Sequence, residues 1–400
     1  MPSSANRPAR PVMHVLVLPS WYPTTEAPRT GIYFVEQIQC LQDAGLQMGV
    51  VYPEQQSLRR GSWAALRRKH WQTEWTTEHG IPTLRQYGWN VWWRFPPGQR
   101  VRVRRAVQLG RRYVKRHGRP DLLHAHSARW AGAAAARLGD ELDVPYVLTE
   151  HFTGFQRQSI FPWRLPLIRE GFRRASAITT VSTSLKQTLV DQGFISPSEV
   201  TILPNLAPTS FFTLPSTRRS PPPFEFITVA QLHRKKNISG LLYAFSEAFS
   251  GDETATLTIV GDGPERGALE RQANRLGVRP QITFRGALDR PALRTALWDA
   301  DAFVLPSHHE TFGVVLIEAM ATGLPVIATR CGGPEDIVTP TTGRLVPPDD
   351  PAALADALRT MHRTHGTYEA DVVRASALDR YGPEPFVRRT RAFYQRTLSA

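Results

Sequence analysis

Four hundred residues exceed what one hydrophobic core usually serves, so the length predicts two domains of ordinary size. With 41% apolar and 21% charged residues, the composition excludes a disordered chain, and no apolar run approaches the roughly 18 residues of a membrane-spanning helix. The run from Val12 to Leu18 is too short for a signal peptide, and two cysteines make no disulfide framework, so we expect a cytoplasmic protein.

The first half of the chain alternates short apolar runs with segments of helical periodicity. Strands are predicted at 15–18, 48–52, 122–125, 146–148 and 177–181. A first helix contains Phe34, Ile38 and Leu41 and ends near Gly45. Continuous apolar strands are typical of parallel sheets covered on both faces, so residues 1–206 are expected to form one open α/β domain.

Prolines interrupt this alternation between residues 207 and 223, where Pro221 to Pro223 remove backbone donors and fix φ. We interpret this segment as the domain linker. A second alternation follows, with strands predicted at 224–229, 256–260, 282–284, 302–305 and 325–328. It defines a second α/β domain over residues 224–380, and residues 381–400 hold a closing helix from Pro383 to Leu398.

The positive charge is concentrated in one segment. The net charge is +14, and residues 59–119 hold sixteen Lys and Arg against Glu74 and Glu78, so the rest of the chain is neutral. The same segment contains six tryptophans and a phenylalanine: Trp63, Trp71, Trp75, Trp89, Trp92, Trp93 and Phe95. Basic residues interleaved with indoles suit an anionic membrane or a nucleic acid, and a solvated basic face is the alternative. Since tryptophan is costly to expose, we favour a binding surface.

Polar and glycine-rich segments follow the predicted strands in both halves. In open parallel sheets ligands bind beyond the carboxyl ends of the strands, so these segments predict a site in a cleft between the two domains. The densest of them runs from His309 to Met320. There Glu310 follows a strand, Gly313 permits close backbone approach, and a helix over 314–322 offers free N–H groups to a phosphate.

Three other segments carry weaker signals. The basic loop from Gln231 to Asn237 could neutralise a diphosphate, or could be a solvated loop with Asn237 as a helix cap. We interpret the turn Gly261–Pro264 as structural. The pairs His124 with His126 and His308 with His309 supply no convincing three-ligand spacing, so we expect no metal site.

These residues together resemble the GT4-type retaining glycosyltransferases of the GT-B fold, in which two Rossmann-like, doubly wound domains face each other across a cleft. Glu310–Gly313 with Glu318–Val326 matches the family's E-x7-E motif, and Gly332–Glu335 matches its glycine turn. Gly31 and Thr149–His151 are further landmarks. The resemblance implies transfer of a sugar from a UDP- or GDP-sugar, without cofactor or metal, to a saccharide or lipid-linked acceptor.

The resemblance also implies roles for individual residues. Glu310 would contact the donor sugar, and Glu318 the nucleotide ribose. The catalytic residues would be Glu310, His151 and Lys236; the donor-binding residues Gln231, Thr311, Phe312, Gly313, Val314 and Glu318; and the acceptor-side residues Gly31 and His126. Gln231 replaces the arginine usual in the family, which removes one positive charge at the leaving group.

In such enzymes the first domain receives the acceptor. We therefore expect residues 59–119 to hold the protein on the anionic cytoplasmic face of a membrane, near a surface polysaccharide or glycolipid acceptor. Charge reversal of Arg102, Arg104 and Arg105 should then weaken liposome binding. The alternatives are a nucleotide-sugar epimerase or phosphorylase on the same fold, and a non-catalytic protein that binds membranes or nucleic acid through its basic surface.

Overall fold

A computed structural model describes residues 12–25, 27–56, 72–89, 92, 95–217 and 223–399. These residues form two α/β units, each built on a sheet whose strands alternate with helices. Ten of the strands were predicted from the apolar runs, and all ten are present within a few residues of the expected bounds. The doubly wound α/β class predicted from the sequence is therefore confirmed.

The first unit contains one sheet, which has eight strands among the described residues: β1 (His14–Pro19), β2 (Gln47–Gln56), β3 (Thr73–Glu78), β4 (Ile81–Trp89), β5 (Leu122–His126), β6 (Tyr146–Glu150), β7 (Ala177–Thr180) and β8 (Val200–Ile202). They lie in the order 3-4-2-1-5-6-7-8, and neighbours run parallel except for the β3–β4 hairpin. The helices are α1 (Ile32–Asp43), α2 (Pro96–His117), α3 (Ala131–Leu142), α4 (Leu165–Arg173) and α5 (Thr183–Asp191).

The second unit contains a fully parallel sheet: β9 (Phe224–Val229), β10 (Ala255–Val260), β11 (Ile282–Gly286), β12 (Ala302–Leu305), β13 (Val326–Thr329) and β14 (Gly343–Val346). The order 11-10-9-12-13-14 is that of a Rossmann sheet. The strands all run parallel, and the order in which they are added to the sheet reverses between β9 and β12. Its helices are α6 (Ile238–Phe249), α7 (Arg266–Arg275), α8 (Arg290–Trp298), α9 (Val314–Ala321), α10 (Pro334–Ile337), α11 (Pro351–Thr364), α12 (Ala370–Tyr381) and α13 (Pro383–Ser399).

Short polar side chains begin several of these helices. Ser182, Asn237, Asp289 and Asp350 each accept a hydrogen bond from a backbone N–H in the first turn of the helix that follows. Five short 3-10 turns lie at 162–164, 197–199, 234–236, 279–281 and 365–367. Among the described residues, no helix is both long and apolar enough to cross a bilayer.

The basic segment 59–119 is not a single surface, which corrects part of the sequence interpretation. Its described part forms β3, β4 and α2, and α2 buries a stripe that includes Val103, Ala106 and Tyr113. Arg105 is 5% exposed, so the three arginines chosen for charge reversal do not share a solvent-facing side. Trp63, Trp71 and Trp93 lie outside the described residues. Because charged residues are so frequent in this segment, the amphipathic pattern of α2 was not recognised from the sequence.

The last helix, α13, was predicted from its arginines and aromatics, and it returns to the first unit. The Tyr394 hydroxyl lies 2.7 Å from Nδ1 of His124, and Arg391 donates to the carbonyl of Ala44. Both partners belong to the first unit, at β5 and just after α1. The C-terminus therefore links the second unit to the core of the first.

Candidate active site

A cleft of about 720 Å³ opens between the carboxyl edges of the two sheets. Its volume lies within the range of small-molecule sites. The first unit contributes Ile32, Tyr33, Glu36, His151 and Asn205 to its wall. From the second unit come the ends of β9, β10 and β12 and the start of α9. This is the edge-to-edge position that the strand-end rule predicted.

The segment after β12 forms one side of the cleft. Gly313 has φ 105°, in the left-handed region that favours glycine, and α9 begins at the next residue. Thr311 and Phe312 are buried, and Gly333 N donates to the carbonyl of Glu310 at 2.6 Å. The loop is thereby fixed with the free N–H groups of α9 at the cleft, where the positive end of the helix dipole favours a phosphate.

A cation and a carboxylate meet beside this loop. Nζ of Lys236, in the turn after β9, donates to Oε2 of Glu310. The two side chains are only 16% and 15% exposed. Lys235 also lines the cleft, and burial, together with the charge of Lys236, lowers the pKa of its ammonium group. Two lysines and a helix start thus make this wall electropositive.

Glu318 lies one turn into α9 and also faces the cleft. Burial raises the pKa of its carboxyl to about 8; the guanidinium of Arg290 opposes this shift, and the carboxylate of Glu36 adds to it. At neutral pH the carboxyl is therefore largely protonated. A carboxyl group can accept hydrogen bonds from the hydroxyls of a diol such as ribose, and in its neutral form it can also donate one.

Two contacts cross the cleft. Arg290, at the start of α8, pairs with Glu36 of α1, and Nη2 of Arg29 donates to the carbonyl of Leu288 at 2.7 Å. Neither contact was predicted from the sequence. Arg290 follows the end of β11, so the strand-end rule could have indicated it, but its partner 254 positions away has no signal in the sequence.

His151 follows β6 and lines the cleft, with Nε2 lying 3.0 Å from Nδ1 of His126. Burial lowers the pKa of His151 to about 3, so its ring is neutral at physiological pH. The carboxylate of Glu150 accepts backbone N–H groups from Ala128, His151 and Phe152 at 2.7–2.8 Å, which fixes this loop. A neutral imidazole held in this way suits a hydrogen bond to a ligand hydroxyl.

The structure brings the three residues predicted as catalytic and the six predicted as donor-binding together in the cleft wall: Glu310, His151, Lys236, Gln231, Thr311, Phe312, Gly313, Val314 and Glu318. The two acceptor-side residues do not line it. Gly31 (φ 76°) precedes α1, close to Trp21, and His126 lies behind His151. Their roles remain predictions.

The turn Gly261–Pro264 also contributes to the cleft. We interpreted it from the sequence as structural, and the structure places Gly261 and Asp262 in the cleft wall. Gln231 is exposed at the same wall, where the family usually has an arginine. Across the described residues, no group of three or more His, Cys, Asp or Glu side chains is arranged to hold a metal ion.

Comparison with known proteins decides the family. The model for Glycosyltransferase Family 4 matches residues 30–211, and that for Glycosyl transferases group 1 matches residues 223–364. The chain belongs to the GT4-type glycosyltransferases. Together the two matches cover most of both α/β units and hold every residue of the predicted site.

Individual relatives agree with this assignment. A glycogen synthase of Mycobacterium tuberculosis is 31% identical over 273 residues, 65% of this chain and 64% of its own length, so the match spans slightly less than two thirds of that protein. The putative teichuronic acid biosynthesis glycosyltransferase TuaC of Bacillus subtilis is 28% identical over 368 residues, which are 86% of this chain and 88% of TuaC.

Solved structures confirm the GT-B fold. HepE of Anabaena, crystallised in complex with UDP, superposes with a TM-score of 0.72 over 96% of this chain and all of that chain, at 19% identity. The two parallel-sheet units of this chain thus have the fold of the two domains of GT-B glycosyltransferases.

Proposed function

We propose that the enzyme transfers a hexosyl group from a nucleotide-diphosphate sugar to a saccharide or lipid-linked acceptor, with retention of anomeric configuration, in the synthesis of a surface polysaccharide or glycolipid. The observation that carries the proposal is the Lys236–Glu310 pair beside the start of α9, in the same cleft as Glu318. HepE binds UDP, and TuaC is named for teichuronic acid biosynthesis; both support a nucleotide-sugar donor and a surface polymer.

The chemistry requires charge stabilisation more than a strong base. When the bond from the anomeric carbon to the diphosphate oxygen breaks, negative charge develops on the diphosphate and positive charge on the sugar ring. Lys236 and the N–H groups of α9 are placed to stabilise the diphosphate, and Glu310 to bind the sugar hydroxyls. The acceptor oxygen forms the new bond to carbon, and its proton passes to the departing diphosphate. Because Lys236 and the N–H groups of α9 can stabilise the charge on the diphosphate, we propose a metal-independent reaction.

The test is a panel of UDP- and GDP-sugars, incubated in EDTA and assayed for release of the nucleotide diphosphate. We expect wild-type enzyme to turn over one donor and Glu318→Ala to lose that turnover. Thermal stabilisation by each donor is measured in parallel, because turnover without an acceptor is slow in transferases that exclude water. The proposal would be contradicted if no donor released its nucleotide diphosphate and no donor raised the thermal stability of the protein.

We also propose that the first domain contacts an anionic cytoplasmic membrane face, through a smaller surface than the sequence predicted. Trp92 and Phe95 are 62% and 54% exposed, and they precede the exposed side of α2, which carries Arg100 and Arg104. Exposed aromatics beside arginines suit an anionic bilayer surface. Trp92→Ala with Arg100→Glu and Arg104→Glu should weaken binding to phosphatidylglycerol vesicles, and equal binding by the variant and wild type would contradict this contact.

A further inference from the structure

Three arginines from separate parts of the first domain lie together at the carboxyl edge of its sheet, outside the set of residues assigned to the donor. Arg102 belongs to α2, Arg129 to the loop after β5, and Arg164 to the turn after β6. Each is half-buried. The positive charge of Arg164 acts on both of the other two, and that of Arg102 acts on Arg129, so the three guanidinium groups form one cluster.

Aromatic rings hold these guanidinium groups in place. The Cζ atom of Arg102 lies 4.6 Å from the ring centre of Trp130, and that of Arg129 lies 4.8 Å from the ring centre of Phe152. The hydroxyl of Tyr52 is 3.5 Å from Nη2 of Arg102. Stacking on rings fixes the plane of a guanidinium while leaving its N–H groups free for an anion.

In the described part of the chain, carboxylates act on Arg102 and Arg129 only through space. Arg102 and Arg129 form no ion pair within the described ranges. The nearby carboxylates have other partners: Glu54 pairs with Arg85 at 3.0 Å, and Glu150 accepts three backbone N–H groups. Glu54 and Glu150 therefore act on Arg102 and Arg129 without an ion pair, and their charges do not offset the burial and repulsion that lower the pKa of both arginines.

This arrangement is energetically unfavourable. Burial, with the charges of Arg164 and Arg102, lowers the pKa of Arg129 to about 10, and burial lowers the pKa of Arg102 as well. With a pKa of about 10, Arg129 remains cationic at neutral pH. An oxyanion that binds between half-buried cations lowers their electrostatic free energy, because charge-assisted hydrogen bonds to the anion offset the repulsion between the like charges.

We propose that this cluster binds an acidic group of the acceptor, a phosphate or a carboxylate, so that the acceptor is anionic. The inference rests on the proposed function and names the acceptor class of that same enzyme. Arg129 lies 5.9 Å from the Trp21 ring, and Nε1 of Trp21 donates to the hydroxyl of Tyr33 at 3.0 Å. Since Tyr33 lines the cleft, one layer of aromatic rings separates the cluster from the donor site.

The test measures anion binding without requiring catalysis. Inorganic phosphate and glucuronate are each titrated by calorimetry into a Lys236→Gln background, so that phosphate bound near that lysine is not counted. In this background we compare the double variant Arg102→Gln with Arg129→Gln against Arg112→Gln, which changes an exposed arginine on the same helix. We expect the double change to weaken binding of at least one anion by about tenfold or more, and the control to change it little.

A second pair of variants separates charge from packing. Arg102→Lys with Arg129→Lys retains both charges but loses the stacked guanidinium planes, so it should weaken binding less than the Gln changes do. Equal weakening by the Lys and Gln changes, or Gln variants that bind as tightly as Arg112→Gln, would overturn the proposal. Which anion responds identifies the acidic group.

Nucleotide binding, measured with Lys236 intact, distinguishes the two proposals. The Gln double variant should bind UDP or GDP as wild type does. Nucleotide binding without arginine-dependent anion binding would leave the proposed function standing and remove the acceptor inference. Arginine-dependent anion binding in a protein that binds no nucleotide would remove the proposed function and leave the arginine cluster as an anion-binding site.

Discussion

Lys236 donates a hydrogen bond to Glu310 although 74 positions separate them in the chain. Each follows a strand of the second sheet, and these strands, β9 and β12, are hydrogen-bonded neighbours at the point where the strand order reverses. Loops that leave adjacent parallel strands at this point diverge to opposite faces and open a crevice. The pair lies at the mouth of that crevice, where a diphosphate and a sugar would meet.

Removal of the lysine charge should impair catalysis much more than stability. For Lys236→Gln we expect kcat/KM for the donor to fall by about 10²-fold, because stabilisation of the leaving diphosphate is lost in the transition state. Steady-state kinetics with the donor found in the panel measures this. Arg234→Gln is the matched control, since that side chain is in the same turn and 92% exposed. Similar losses in both variants would show that the effect is not specific to Lys236.

The pKa of Glu318 predicts a pH-dependent stability. The ordinary value is 4.5 and the folded value about 8, so between these pH values the folded protein holds a proton that the unfolded chain releases. This contribution therefore falls as pH rises, and is fully lost above about pH 8. Glu318→Gln removes it, so the Tm of the variant relative to wild type should increase from about pH 5 to about pH 9.

Differential scanning fluorimetry across this range tests the prediction. Arg290 and Glu36 face the same carboxyl, so Arg290→Gln is measured alongside and should extend the dependence to higher pH, because loss of the opposing charge raises the pKa of Glu318 further. A Tm difference between Glu318→Gln and wild type that is constant with pH would show that Glu318 is already ionised in the folded protein.

The Glu36–Arg290 pair should favour the closed arrangement of the two domains. Glu36→Arg or Arg290→Glu places like charges across the cleft, so we expect a larger radius of gyration and weaker donor binding in each single variant. The double exchange restores opposite charges and should recover most of the loss, with a coupling energy of about 1 kcal/mol. Small-angle scattering and nucleotide titration measure the two effects. Additive effects in the double variant would mean that the pair does not couple the domains.

Gly333 controls the position of the donor loop. A Cβ at this residue would lie 2.2 Å from the carbonyl oxygen of Phe312, so Gly333→Ala must displace the loop before α9. We expect nucleotide affinity to fall by about tenfold, since small displacements of positioning groups are costly. Gly366→Ala is the control, because no atom lies within 4 Å of its Cβ position. Equal nucleotide affinity in the two variants would contradict this account of the loop.

Most of the fold could be predicted from local patterns. Buried parallel strands such as β1 and β9 are continuous apolar runs, and the polar or glycine residues after them mark the edge of each sheet. The edge strands β8 and β14 were missed, and so were the hairpin β3–β4 and helix α2. Charged residues dominate the composition of the segment that forms β3, β4 and α2. Some of its arginines, such as Arg85, are buried, although the sequence pattern predicts that they are exposed to solvent.

The sequence by itself determined the two α/β units, the strand edges at which ligands bind, and the motif residues Glu310 and Glu318. These follow from periodicity and from short spacings within one loop and helix. Only the tertiary structure decided which charges meet. The Glu36–Arg290 pair and the cluster of Arg102, Arg129 and Arg164 form between distant segments, and solvent access and the distances between charges depend on how those segments pack.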